Sequence, residues 1–329
     1  MKIAQFEYQG APFIGLQSRF GTRAERVSAE SRILVPTDPD FIGMSERDWG
    51  NRWINYTKAA AAYSIVEQNR FSEPATSLEE LIRSGGLNVD EMKKVGRFVK
   101  NHQLEQRVAV EKKAILKAPI GRPHKIVALG LNYALHAKEG NFQLPKEPIL
   151  FVKVGSSVIG PNEPVRIPRG LGRIDHEVEL AVIIGKKATE VKKRDASRYI
   201  AGYTIANDVS ARDLQTKDLE KKHPWFRSKS FDTFTPLGPW LVTADEIKSP
   251  VHLNLECRVN GKIRQKSNTR DMVFDIPTQI EFISKYITLE PGDIISTGTP
   301  EGIGPITHGD TIVCRIEGIG ELKNPVRFR

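Results

Sequence analysis

Hydrophobic and polar positions change their period about a third of the way along the chain. The opening segment, KIAQFEYQGAPFIGLQ, sets Ile3, Phe13, Ile14 and Leu16 in short apolar runs of strand length. Helical patterns follow. One predicted helix runs from Lys58 to Phe71 through the Ala59–Ala62 tract. A second begins at Ser77, whose hydroxyl and Glu80 form a capping box, and ends before Gly85–Gly86. A third starts at Asn88, with Glu91 three residues on, and gathers Met92, Val95, Phe98 and Val99 on one face. The segment KAPIGRP, Lys117 to Pro123, holds two prolines and a glycine, which is the chemistry of a connector. It divides the chain into an N-terminal domain, residues 1–116, and a second domain, residues 124–329.

Past the connector the pattern becomes short apolar or alternating runs between turn residues: HKIVALG, EPILFVKVG, EVELAVIIG, AGYTIAND, GPWLVT, VHLNLECRV, KIRQKS, DIISTG and DTIVCRI. Asn260–Gly261, between two such runs, predicts a type I′ hairpin. Helical stretches are few: Lys193–Ile200, and Ile276–Ile287 with a proline in its first turn. Strands do not alternate with helices and no G-x-G-x-x-G follows a strand, so a dinucleotide fold is not indicated. The expectation is a β-rich α+β protein.

Composition narrows the class. The 329 residues are 39% hydrophobic and contain no 18-residue apolar run, which argues for a packed core and against a membrane span. The start lacks the basic and apolar regions of a secretory signal. Only Cys257 and Cys314 could pair, without C-x-x-C spacing, so no disulfide framework or thiolate zinc site is expected and a cytoplasmic location fits. The net charge of +9 is spread over both domains. The densest cluster, Lys217–Lys229, interleaves cations with aromatics; it reads as a nucleic-acid platform, a solvated basic loop, or a funnel for a small anionic substrate. The funnel is preferred, with neither nucleic acid nor membrane as partner.

Candidate chemistry centres on Ile174-Asp175-His176-Glu177-Val178-Glu179-Leu180. On a strand, Glu177 and Glu179 share a face and demand a counter-charge. Asp208 ends another apolar run where a loop begins. Three carboxylates from strand ends, without a Cys or His cluster, match a hard divalent cation such as Mg²⁺ or Mn²⁺. Arg212 and Gln215 share one side of a helical turn, and Lys229 follows; beside a metal the cations Arg212 and Lys229 become candidates for binding a substrate carboxylate. The glycine-dense Gly298-Thr299-Pro300-Glu301-Gly302-Ile303-Gly304 brings backbone N–H groups close to an anionic oxygen. His136 and Glu139, three apart if helical, form a general-base pair, on a segment that Gly130 and Gly140 would let move as a lid.

In this order, the blocks GLNYALHAKE, PILFVK, DHEVELAVIIG, GYTIANDVSARDLQ, KSFDTFTPLGP and TGTPEGIG resemble the fumarylacetoacetate hydrolase family over roughly residues 124–328. The resemblance implies a mixed β-sandwich roll, usually homodimeric, with Glu177, Glu179 and Asp208 holding one divalent cation. It also implies that His136 and Glu139 form a dyad on a lid, and that Arg212, Gln215, Lys229 and Thr299 surround the substrate. The implied reaction is C–C bond hydrolysis of a 2,4-dioxo acid such as an acylpyruvate or fumarylpyruvate; decarboxylation or tautomerisation of oxaloacetate, or isomerisation of a 2-hydroxymuconate-type diacid, is the alternative. His176 departs from the aromatic residue common beside the first metal carboxylate, and residues 1–116 match nothing specific.

Overall fold

This computed structural model describes residues 1–17, 53–68, 74–104, 107, 108, 110 and 113–329. Its spine is an eleven-stranded sheet. Along the main path the order is Trp53–Asn55, Ala11–Gln17, Lys2–Tyr8, Thr235–Thr243, Ile200–Asn207, Val178–Ile184, Ile294–Ser296, Ile126–Gly130 and Ile149–Lys153. Most neighbours are antiparallel, but Ile294–Ser296 runs parallel to Ile126–Gly130, so the sheet is mixed. A five-stranded sheet, ordered Lys262–Asn268, Asn254–Val259, Thr311–Ile316, Gly320–Phe328 and Val165–Ile167, packs against it. A small third sheet joins Ser210–Ala211, Ile174–His176 and Gly304–Pro305.

Strand periodicity explains why Val178–Ile184 is buried at every position. Leu180, Val182 and Ile184 enter a core shared with Leu255, Cys257, Ile312 and Ile316 of the five-stranded sheet. Ala181 and Ile183 point the other way, into a core with Leu78, Ile82, Met92 and Val95 of the N-terminal helices. A strand covered on both faces reads as a continuous apolar run. The N-terminal strands continue the same sheet, with Ile3 opposite Leu241, and the N-terminal helices cover its second face. The resulting β-rich sandwich is the expected α+β class.

Local signals translate directly. The first helix is Tyr56–Gln68, so the expected end at Phe71 lies outside the described residues. Ser77 Oγ accepts the Glu80 N–H at 3.0 Å before helix Leu78–Arg83, and Asn88 caps helix Val89–Asn101. Asn260 and Gly261 have φ of 52° and 79°, the signature of the type I′ turn. Lys193–Tyr199 is 3₁₀ helix, and Ile276–Tyr286 is an α-helix capped by Asp275.

Two features depend on contacts that local pattern does not show. The basic segment is not a loop: helix Arg212–Glu220 and the one-turn helix Phe226–Lys229 occupy it, with buried Asp218 joining them by a bidentate ion pair to Arg227. The cysteines, distant in sequence, are direct cross-strand neighbours with Sγ atoms 4.0 Å apart, and both thiols are free.

Candidate active site

Glu177 sits in the break between strands Ile174–His176 and Val178–Ile184, and Asp208 follows strand Ile200–Asn207. The two breaks are tied together, since the Asp208 N–H donates to the Glu177 carbonyl and the Glu177 N–H to Asn207 Oδ1. Glu179 completes the group: one oxygen from each of the three carboxylates lies within 4.8 Å of the others, and all three residues are buried. They open onto a cavity of about 360 Å³, which His136, Glu139, Arg212, Gln215, Lys229 and Thr299 also line. All nine residues expected from sequence therefore meet in one place.

Charge balance within the cluster is uneven. Burial would raise the Glu177 pKa, but Lys229 and Arg212 outweigh it and hold the carboxyl far below its ordinary value. Among the described residues no cation forms an ion pair with Glu179, and Lys229 acts on it only as a minor charge. Burial, reinforced by Asp208, pushes it up to about 8, against hydrogen bonds from Ser296 Oγ and the Gly298 N–H. Lys229 Nζ lies 2.8 Å from Glu177 Oε2 and 2.6 Å from Asp208 Oδ2, a position a cation takes between two oxygens. Oxygen-only donors, a lysine ammonium bridging two of them, and a third carboxylate short of positive charge make a set that fits a hard divalent cation.

Buried partners not singled out from sequence support this cluster. Lys153 is 1% exposed and donates to Asp208 Oδ1 at 2.5 Å and to the Lys229 carbonyl. Burial lowers its pKa, opposed by Asp208. Asp175, fully buried, holds Arg212 Nε at 2.8 Å and Arg173 Nε at 2.7 Å on opposite oxygens. Gln265 reaches across from the five-stranded sheet. Its Oε1 accepts from the Val178 N–H, and its Nε2 donates to Thr299 Oγ1 and the Pro300 carbonyl. That same Oε1 lies 3.0 Å from His176 Nδ1, so Nδ1 carries the proton, and burial keeps the imidazole pKa below its ordinary value. The aromatic position before Glu177 thus serves as a strut. A lone lysine closing the apolar run PILFV was the available signal for Lys153; Gln265 had none.

Both candidate cations are drawn into the cluster. Lys229 is 3% exposed, and Asp208 and Glu177 raise its pKa against the cost of burial. Arg212 is engaged at all three nitrogens, by Asp175, Gln215 and Glu177. Gln215 Oε1 accepts from Arg212, which leaves its Nε2 as donor toward the cavity. Thr299 Oγ1 donates to the Val178 carbonyl and accepts from Gln265, so its hydroxyl is already committed.

The helix Ala134–Glu139 presents the pair His136 and Glu139, with His136 Nδ1 3.3 Å from Glu139 Oε2. A carboxylate only accepts, so Nδ1 is protonated and Nε2 carries the lone pair. Both Glu139 oxygens also accept the Gly302 N–H. Gly302 has φ +88°, and a Cβ there would lie 2.1 Å from the Arg264 carbonyl oxygen, so only glycine fits. Gly298 is similarly placed, with φ +95° and its N–H on Glu179.

Comparison with known proteins follows the same outline. The sequence profile described as Fumarylacetoacetate (FAA) hydrolase C-terminal matches residues 125–327. A mitochondrial oxaloacetate tautomerase of Xenopus laevis is 48% identical over 218 residues, 64% of this chain and 68% of that protein. The crystal structure of a 5-carboxymethyl-2-hydroxymuconate delta-isomerase from Mycobacterium smegmatis is 45% identical, covers 66% of this chain and 81% of its own, and gives a TM-score of 0.60. A fumarylpyruvate hydrolase from Pseudomonas aeruginosa, crystallised with Mn²⁺ and pyruvate, is 31% identical with a TM-score of 0.60, covering 62% of this chain and 90% of that one. Among the described residues no helix is long and apolar enough to cross a membrane. With the profile spanning well over half of its length and its acidic triad in place, the chain belongs to the fumarylacetoacetate hydrolase family.

Proposed function

We propose that this protein is a divalent-metal-dependent enzyme that enolises a 2-oxo acid, moving a proton at carbon 3 as a tautomerase or isomerase does. The observation that carries the reading is the convergence on one cavity of the buried triad Glu177, Glu179 and Asp208 with the pair His136 and Glu139. The triad would hold Mg²⁺ or Mn²⁺. Such a cation polarises the 2-oxo group and acidifies the neighbouring C–H.

The remaining steps belong to side chains. Gln215 Nε2, with Lys229 nearby, receives the substrate carboxylate by hydrogen bonds. His136 Nε2 takes the carbon-3 proton, whose bonding pair passes into the enolate, and returns a proton to carbon or oxygen. Glu139 keeps the opposite ring nitrogen protonated and stabilises the imidazolium. The Gly302 N–H anchors Glu139 so that the ring keeps its orientation.

Tautomerase and isomerase names among relatives near 45–48% identity favour proton transfer over the hydrolysis expected from sequence. Hydrolysis of an acylpyruvate remains the second reading: the same dyad could activate a water, and the relative crystallised with Mn²⁺ and pyruvate is named a hydrolase. The test is proton exchange at carbon 3 of 2-oxo acids in D₂O, followed by NMR with Mg²⁺ or Mn²⁺ and with chelator, alongside acylpyruvates with products identified. Metal-dependent exchange that vanishes in Glu177→Ala is expected. Exchange indifferent to chelator, or absent for every 2-oxo acid, overturns the reading; release of pyruvate from acylpyruvates at a rate exceeding exchange favours the second.

A further inference from the structure

Arg173 precedes the strand Ile174–His176 and lines the same cavity. Residues two apart along a strand project to one side, which places Arg173, Asp175 and Glu177 together. Arg173 and Arg212 flank Asp175, one on each oxygen, yet they differ in what they have left to offer. Arg212 is held at all three nitrogens within the protein. Among the described residues the Arg173 side chain is held at Nε alone, by Asp175 Oδ1 at 2.7 Å. Among the described residues its two terminal nitrogens have no partner, and its side chain is 46% exposed.

The backbone beneath it is pinned. Its N–H donates to Asp213 Oδ2 at 3.0 Å, and its carbonyl accepts the Arg212 N–H at 2.8 Å. A guanidinium anchored at Nε, with its terminal N–H groups open to a cavity, is a preassembled fork for a carboxylate. The cavity also has an apolar side, where Phe151 and Trp225 pack edge to face with ring centres 5.7 Å apart, suited to a hydrocarbon spacer.

We infer that Arg173 is a specificity-determining residue that receives the second carboxylate of a 2-oxo diacid. The inference rests on the enolisation reading above, in which Gln215 and Lys229 already serve the 2-oxo acid head. It is tested by comparing carbon-3 exchange in D₂O for oxaloacetate and 2-oxobutanoate, acids of equal chain length that differ in one carboxylate. Each is measured with Mn²⁺, with uncatalysed exchange subtracted, for the parent protein, Arg173→Leu and Arg173→Lys.

The parent protein is expected to prefer the diacid. Arg173→Leu should lower the diacid-to-monoacid ratio of kcat/KM by about tenfold or more, mainly through KM, the scale of one charge-assisted pair. Arg173→Lys, which keeps the charge without the fork, should fall between. An unchanged ratio, or equal losses on both acids with weakened Mn²⁺ binding, would overturn the inference while leaving enolisation standing; the latter would make Arg173 a support for Asp175 alone. If the parent protein exchanges neither acid, the enolisation reading fails and this inference falls with it.

Discussion

Lys153 and Lys229 grip opposite oxygens of one carboxylate: Lys153 Nζ lies 2.5 Å from Asp208 Oδ1, and Lys229 Nζ lies 2.6 Å from Oδ2. Both lysines are buried, so neither exchanges its partner for water. They arrive from different directions, one from an edge strand of the large sheet and the other from a one-turn helix. The carboxylate is thereby fixed before any cation binds.

Removing the first of these clamps should be costly. Lys153→Met leaves Asp208 buried with one cation fewer, and breaking a buried pair costs roughly 3–5 kcal/mol. Urea denaturation in the presence of chelator measures this. A loss below about 1 kcal/mol would show that Lys229 alone suffices to neutralise Asp208.

The pH dependence of the metal-free protein follows from Glu179. Its carboxyl is raised from 4.5 to about 8 in the folded state, so between those values the native protein holds a proton that the unfolded chain has released. This group's contribution to stability is full at low pH and is lost as pH rises from 4.5 through about 8. Glu179→Gln should flatten that part of the Tm–pH curve, and saturating Mn²⁺ should flatten it in the parent protein. A parent curve rising steadily across this window in chelator would contradict the assignment.

His136→Ala and Glu139→Gln separate the dyad from the metal site. Loss of a positioned general base costs about 10²–10⁴ in rate. The expected result is a fall of that size in carbon-3 exchange for His136→Ala and a smaller one for Glu139→Gln. Mn²⁺ affinity, read by calorimetry, should stay within a few-fold. Equal collapse of affinity and rate would place these residues in the metal site instead.

Gly302→Ala tests the anchor of the dyad without touching it. The added Cβ meets the Arg264 carbonyl oxygen at 2.1 Å in a left-handed conformation, so the loop must move and Glu139 must lose its N–H donor. Strain of this kind costs on the order of 1–3 kcal/mol. A lowered Tm together with slower exchange is expected; unchanged values of both would mean the loop relaxes freely.

Much of this was legible along the chain because it is local. Ser77 and Asn88 cap the helices they precede, and Asn260–Gly261 closes its hairpin, since caps and turns are decided within a few residues. The three clustered carboxylates could be picked out because acidic residues stand at or near the ends of apolar strands, where burial demands a partner of opposite charge. The structure of the basic run Lys217–Lys229 was less legible for the converse reason. The burial of Lys229 depends on an element far away in sequence, since it reaches Glu177, 52 residues before it, while Asp218 holds Arg227 from the next helix.

Tertiary structure alone decided which side chains support the site. Lys153 meets Asp208 across 55 residues, and Gln265 meets His176 across 89. Arg173 takes one oxygen of Asp175 through Nε while Arg212 takes the other, and among the described residues the terminal nitrogens of Arg173 have no partner. Spacing along a strand assigns a residue to a face of its sheet, through the fixed alternation of side chains. Which of two arginines keeps open donors is settled by packing between strands, where hydrogen-bond partners are allotted by distance in space.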